Sequence, residues 1–206
     1  MRKIVFANDE YYHVFNRGVD KRKIFLRVGH YKRFIQTLEN LLNFGSATTG
    51  RTLIQKIAFT TKISFISYCL MPNHYHFIIR QIQENGISEF MHHLNTSYTK
   101  YFNINEKRSG RLFEFTFKAV HVDSEAQLLH LSRYIHINPL LAGVVEDLNK
   151  YTWSSYQDFI GLRDSHLCQK QEILDLISLK KSPQKYQDFV VSRIKHAQAL
   201  KNIILE

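Results

Sequence analysis

Acidic residues are the scarce charge in this chain of 206 residues. Asp and Glu number 18 against 28 Lys and Arg, giving a formal net charge of +10 and an isoelectric point near 9.6. That imbalance disfavours cationic partners and favours a polyanion, nucleic acid first. Cysteine is scarcer still. Cys69 and Cys168 are too few for a disulfide framework or a cysteine-rich zinc centre, and they read as ordinary reduced thiols. No apolar run approaches the length of a membrane span, and the opening MRKIVFANDE holds too short an apolar run for a secretory signal. These absences imply a cytoplasmic protein with no membrane partner. Internal repeats and low-complexity tracts are missing too. What is present is a globular composition, 44% hydrophobic with 15 Phe and 11 Tyr, in a length that suits one sizeable core.

Periodicity divides the chain into short elements. YYHVFNR (11–17) alternates and predicts a strand. A basic stretch follows over 17–33, with seven Lys and Arg and one Asp. From about His30 the spacing of Tyr31, Phe34, Ile35, Leu38, Leu41 and Leu42 predicts an amphipathic helix. NFGSATTG (43–50) has loop composition. TKISFISYCL (61–70) and HYHFIIRQI (74–82) predict two strands joined by the turn at MPN. A helix is expected over 87–103, a strand over 113–122 and a helix over 123–138. In that last helix Ser124 and Gln127 suit a capping box, and Pro139 limits its end. The order β-α-β-β-α-β-α predicts an α+β fold. It is a ferredoxin-like antiparallel sheet with helices on one face, extended by one helix. Residues 1–160 are expected to form the main domain and 161–206 a C-terminal helical extension.

Residues 73–77, NHYHF, raise the first chemical question. On a strand, residues two apart share a face roughly 7 Å apart. His74 and His76 then stand side by side, while Tyr75, Phe77 and Ile79 turn to the core. Two neutral imidazoles are suited to gripping a cation. A catalytic divalent ion also needs a third ligand and open positions. The pair alone is equally compatible with two exposed histidines and no metal.

The helix over 124–138 supplies two further candidates. Leu128, Leu131 and Ile135 form its apolar stripe, and Tyr134 and Asn138, four apart, stack beside that stripe. Asn138 offers an amide oxygen suited to Mg²⁺ or Mn²⁺, and Tyr134 offers a phenol able to act as a nucleophile. The same spacing is compatible with a tyrosine packed at the core edge and an asparagine capping the helix before Pro139.

The HYH triplet resembles the HUH signature of single-tyrosine nucleases. The wider text resembles the REP-associated tyrosine transposases, relatives of a small insertion-sequence transposase family. The stretches that carry the likeness are YHVFNRG (12–18), YCLMPNHYHFIIR (68–80), YTKYFN (98–103), SGRLFEFTFKAVHVD (109–123), RYIHINPLLAGVV (133–145) and WSSY (153–156). The resemblance implies that His74, His76 and Asn138 hold a divalent metal, Mg²⁺ or Mn²⁺. It implies that Tyr134 attacks a phosphodiester of single-stranded or hairpin DNA, forming a 5′-phosphotyrosine and releasing a 3′-OH, and that a hydroxyl then reverses the step to rejoin strands. A phenol, with a pKa near ~10, needs assistance at neutral pH. His130 and His136 lie close to Tyr134 in the sequence, and neither is singled out as a general base. One departure stands out: relatives often carry Gln-Gly-Arg-Phe where this chain has Glu114-Phe115-Thr116-Phe117.

Phosphates call for Lys and Arg, and exposed bases call for aromatic or Arg planes. Arg17, Lys21, Arg22, Lys23 and Arg27, interleaved with Phe25 and Tyr31, form one candidate DNA-binding group. Lys107, Arg108, Arg111 and Lys118, near Lys100 and Tyr101, form a second. A monomer and a homodimer are both compatible with the chain. The competing function is a catalytically silent nucleic-acid-binding module on the same sheet.

Overall fold

The computed structural model describes residues 4–42, 59–177 and 183–204, with side chains described as far as residue 193. The loop expected over 43–50 lies outside these residues. The strands are β1 (Tyr11–Arg17), β2 (Ile63–Met71), β3 (His74–Gln81) and β4 (Lys118–Val122). The helices are α1 (Val28–Leu42), α2 (Gly86–Asn105), α3 (Glu125–Leu141), α4 (Tyr156–Phe159), α5 (Gln171–Ile177) and α6 (Pro183–Ile204). All neighbouring strands pair antiparallel, in the order β2-β3-β1-β4. This is the ferredoxin-like arrangement that the element order predicts, with helices following it.

The sheet is buried on both faces. On one, Tyr12 and Val14 of β1 and Tyr75, Phe77 and Ile79 of β3 meet Phe34 and Leu38 of α1 and Phe90, Leu94 and Tyr98 of α2. The expectation of helices on one face holds for this pair. On the opposite face Ile66, Met71, Ile78 and Val122 meet Leu128 and Ile135 of α3, Ile173 and Leu174 of α5, and Tyr186 and Val190 of α6. Residues on either side of position 160 therefore lie in one hydrophobic cluster. From Phe77 to Ile79 β3 is apolar on both of its faces, each of which has a helical layer to cover it.

Two elements differ from their sequence patterns. The strand expected over 113–122 enters the sheet only at Lys118. Before that, the Asn16 side-chain amide donates to the carbonyls of Phe115 and Thr116, at 2.9 and 3.0 Å, and the Asn95 amide donates to Thr116 O at 2.7 Å. Phe113 still bridges Gly18 and Glu114 N donates to Arg17 O at 2.8 Å, but side chains then take carbonyl oxygens that a sheet ladder would have used, and 115–117 stands off as a wall. Gly18 makes the adjoining turn possible, since a Cβ there would collide with the Arg22 carbonyl.

α3 does not stop before Pro139 but runs through it to Leu141. A proline so near the end forfeits one backbone bond, and Ala142 N to Asn138 O and Val144 N to Pro139 O close the helix at 3.0 and 2.8 Å. At the other end Ser124 accepts from Gln127 N at 3.3 Å as expected, while the Gln127 side chain accepts from Asp123 N instead of from Ser124 N. Among the described residues no helix is long and apolar enough to cross a membrane.

Candidate functional site

The β1–β3 register sets the site. Phe15 lies opposite His76 and Arg17 opposite His74, which leaves His13 diagonal to His76. Because β3 alternates, His74 and His76 both point to the α3 side, with ring centroids 4.9 Å apart. α3 then brings Tyr134 across the sheet until its ring stands 5.8 Å from that of His76, edge to face. These groups border a cleft of about 360 Å³, lined by Phe15, Asn16, Arg17, Asn73, His74, His76, Glu114, Phe115, Lys118 and Tyr134. His76 is 7% exposed at the cleft floor, whereas Tyr134 at its edge is 45% exposed.

Burial holds both imidazoles neutral at physiological pH. His74 is lowered to about 4, by burial first and by the Arg17 charge second. His76 is lowered to about 2, again by burial first and then by His13 and His74. Each ring uses Nδ1 within the protein: His74 Nδ1 meets Asn73 Oδ1 at 2.6 Å and His76 Nδ1 meets His13 Nε2 at 2.9 Å. Among the described residues, neither Nε2 has a hydrogen-bonding partner. A pair of neutral rings held by Nδ1 suits a hard or borderline cation at Nε2. Among the described residues no group of three His, Cys, Asp or Glu side chains is placed to hold a metal ion. A third oxygen would have to come from an amide such as Asn138 or from a substrate.

A family model described as "Transposase IS200 like" matches residues 7–138. The chain belongs to the IS200-like transposase family. The matched region runs from before β1 to Asn138 and so includes every group around the cleft. Among solved structures, the REP-associated tyrosine transposase bound to a REP hairpin is similar in fold, with a TM-score of 0.58 and 13% identity over 80% of this chain and 88% of that one. No curated protein matches the chain.

In this IS200-like transposase the residues singled out in the sequence fall into four places. His74, His76, Tyr134, Arg17 and Lys118 meet at the cleft. Arg17 forms an ion pair with Glu114 at 3.0 Å across its mouth, and the Lys118 ammonium sits 4.2 Å from the centre of the Phe115 ring. Asn138 follows Tyr134 by one turn of α3 and is not among the residues lining the cleft. Lys21, Arg22 and Lys23 sit in the exposed turn after β1, which touches the cleft rim where Asn73 Nδ2 donates to Lys21 O at 3.1 Å. Arg22 is turned to Asp20 at 3.2 Å. Arg27 pairs with Glu106 at 2.6 Å, and Lys107, Arg108 and Arg111 gather near it at the end of α2, away from the cleft lining.

Neither histidine near Tyr134 in the sequence faces the cleft. His130 Nδ1 meets the Arg133 guanidinium at 2.8 Å, and His136 is fully buried between Tyr186 and Ser155. His13, Phe15, Asn73 and Glu114 were not foreseen as parts of the site. Strand alternation puts His13, Phe15 and Arg17 on one face, but only the register across to β3, some sixty residues later, places His13 against His76.

Proposed function

We propose that this transposase cuts and rejoins single-stranded DNA by transesterification on Tyr134, at hairpins of repetitive elements. The observation that carries the reading is the meeting of Tyr134 with the His74–His76 pair on one side of a cleft, in a chain of the IS200-like family. The Tyr134 oxygen attacks the phosphorus, the bond to the 3′ oxygen breaks, and the 3′ oxygen leaves as a hydroxyl. The DNA is then held as a 5′-phosphotyrosine. A 3′-OH attacking that phosphorus releases the tyrosine and restores a phosphodiester, so phosphodiester count and energy are conserved without a nucleotide cofactor.

His74 and His76, with Asn138, would hold Mg²⁺ or Mn²⁺. When bound, such an ion stabilises the charge that develops on the scissile phosphate. Arg17 and Lys118 at the cleft bind the flanking backbone, and Phe15 and Phe115 offer faces on which unpaired bases stack. The Lys21–Lys23 turn continues the basic surface from the rim. The similar solved structure is one bound to a REP hairpin, which supports a structured single strand as the substrate class.

The test is a denaturing gel of protein incubated with labelled hairpin DNA and Mn²⁺. A covalent protein–DNA adduct is expected, and Tyr134→Phe is expected to abolish it while retaining DNA binding. Binding without an adduct in the unaltered chain, across hairpin sequences and with either ion, would leave a silent binding module instead.

A further inference from the structure

Among the described residues, His13 is a titratable side chain packed directly on His76 that the cleavage reading does not use. Its Nε2 lies 2.9 Å from His76 Nδ1, with the rings 5.0 Å apart and inclined by 26°. Phe15 packs beside both rings, 4.8 Å from His13 and 5.9 Å from His76. The 2.9 Å separation makes this a hydrogen bond between ring nitrogens, so one of the two carries the proton and the other accepts it.

The two possible placements of that proton have opposite chemical consequences. If His13 Nε2–H donates, His76 carries its own proton on Nε2 and that nitrogen has no lone pair for the cleft. If His76 Nδ1–H donates, Nε2 of His76 is a bare acceptor. The neighbouring histidine shows how the chain resolves the same choice. Asn73 Nδ2 donates to Lys21 O at 3.1 Å, which turns Asn73 Oδ1 toward His74 Nδ1 at 2.6 Å. An amide oxygen only accepts, so His74 is protonated on Nδ1 and bare on Nε2.

We propose that His13 is the positioning residue of His76, accepting its Nδ1–H and so aiming a bare Nε2 into the cleft, as Asn73 does for His74. This rests on the metal-assisted cleavage reading for its purpose, but the proton placement is a separate statement. With its Nε2 engaged on His76, His13 acts through that ring and is not itself a ligand there. Removing such an outer partner typically weakens metal affinity by about 10- to 100-fold.

Two measurements on the full-length protein test it. Long-range ¹H–¹⁵N correlation spectra of the metal-free protein report which nitrogen of His76 is protonated. Titration with Mn²⁺ alone, followed by the electron paramagnetic resonance of the free ion, reports affinity without turnover. The unaltered chain is expected to show His76 protonated on Nδ1. His13→Phe is expected to shift His76 toward the Nε2–H form and to weaken Mn²⁺ binding by about 10- to 100-fold. His13→Gln, whose Oε1 reaches the position of Nε2 and can only accept, is expected to restore both. A His76 protonated on Nε2 in the unaltered chain overturns the proposal, as does a His13→Phe protein with unchanged proton placement and affinity. If His13→Phe does not fold, the unaltered chain and His13→Gln still decide the proton placement. If the unaltered chain binds no Mn²⁺ yet His76 is protonated on Nδ1, the metal reading fails while the pairing of His13 with His76 stands.

Discussion

His136 and His76 are both buried histidines on the α3 side of the sheet, and burial keeps both neutral, yet their surroundings are opposite in kind. His136 has partners at both nitrogens: Tyr186 Oη lies 2.6 Å from Nδ1 and Ser155 Oγ 2.8 Å from Nε2. Ser155 in turn accepts from Tyr68 N at 2.9 Å, and Tyr186 Oη lies 3.2 Å from Ser132 Oγ. The ring is a junction that ties α3 to α6 and to the backbone of β2. His76 is engaged at one nitrogen only, and the other is turned to a cleft. The comparison shows that burial and a depressed pKa do not by themselves mark a functional histidine. What separates the two is that His76 keeps one nitrogen free beside open volume and the Tyr134 phenol, which is what the proposed function requires of it.

Four measurements would break or sharpen that contrast. His76→Ala should lower the cleavage rate on the order of 10³-fold, the loss of several kcal/mol of charge stabilisation, while the melting temperature changes less than in any His136 variant. Cleavage within a few-fold of the unaltered chain would remove His76 from the chemistry. Next, His136→Ala should cost about 3 kcal/mol of stability, because it leaves buried hydroxyls without a partner and opens a cavity. That corresponds to a fall of about 6–12 °C in melting temperature for a chain of this size. A melt that does not move would show that the junction carries no stability.

The third measurement is acid titration. The folded pKa of His136 is lowered to about 3, chiefly by burial and secondarily by Arg163. The unfolded chain therefore binds the extra proton first. The stability this group contributes is complete above about pH 6.5 and is lost as pH falls toward about 3, with a slope of up to about 1.4 kcal/mol per pH unit. Urea titrations of His136→Gln across that window should show a shallower acid slope than the unaltered chain; parallel slopes would contradict the burial of a neutral ring. Smallest of the four, Tyr186→Phe removes one partner of His136 and should cost about 1 kcal/mol, with cleavage unaffected at temperatures where the protein is folded. A tenfold loss of cleavage there would mean that the closed junction and the open cleft are coupled through α3.

Much of this arrangement was legible from residue order. Strand alternation alone put His74 and His76 on one face and Tyr75, Phe77 and Ile79 on the other, since a period of two leaves no other choice. Helical spacing put Tyr134 beside the Leu128–Ile135 stripe, and packing that stripe on the sheet carried the phenol to the histidines. What was hidden is whatever depends on pairing between distant segments. His13 meets His76 through strand register, and residues 115–117 leave the sheet as amides from β1 and α2 capture the carbonyls of Phe115 and Thr116. The alternating apolar pattern of those residues is that of a strand, and nothing local opposes it. The basic residues were visible as two groups, but the fold divides them among the cleft, the turn after β1 and the end of α2, with Glu114 pairing Arg17 and Glu106 pairing Arg27.

The segment 113–117 has one further consequence. Its place beside the histidines is fixed by grips on main-chain oxygens, which every amino acid carries. Exchanging the Thr116 side chain would therefore leave these grips in place, whereas Glu114 and Phe115 also hold Arg17 and Lys118 at the cleft. Under the proposed function, the groups that meet bases and those that act on the phosphate lie on different segments, Phe115 on this one and His74, His76 and Tyr134 on β3 and α3. On that same proposal, substitutions at Phe115 and Thr116 would alter target preference while the geometry of His74, His76 and Tyr134 stays as it is.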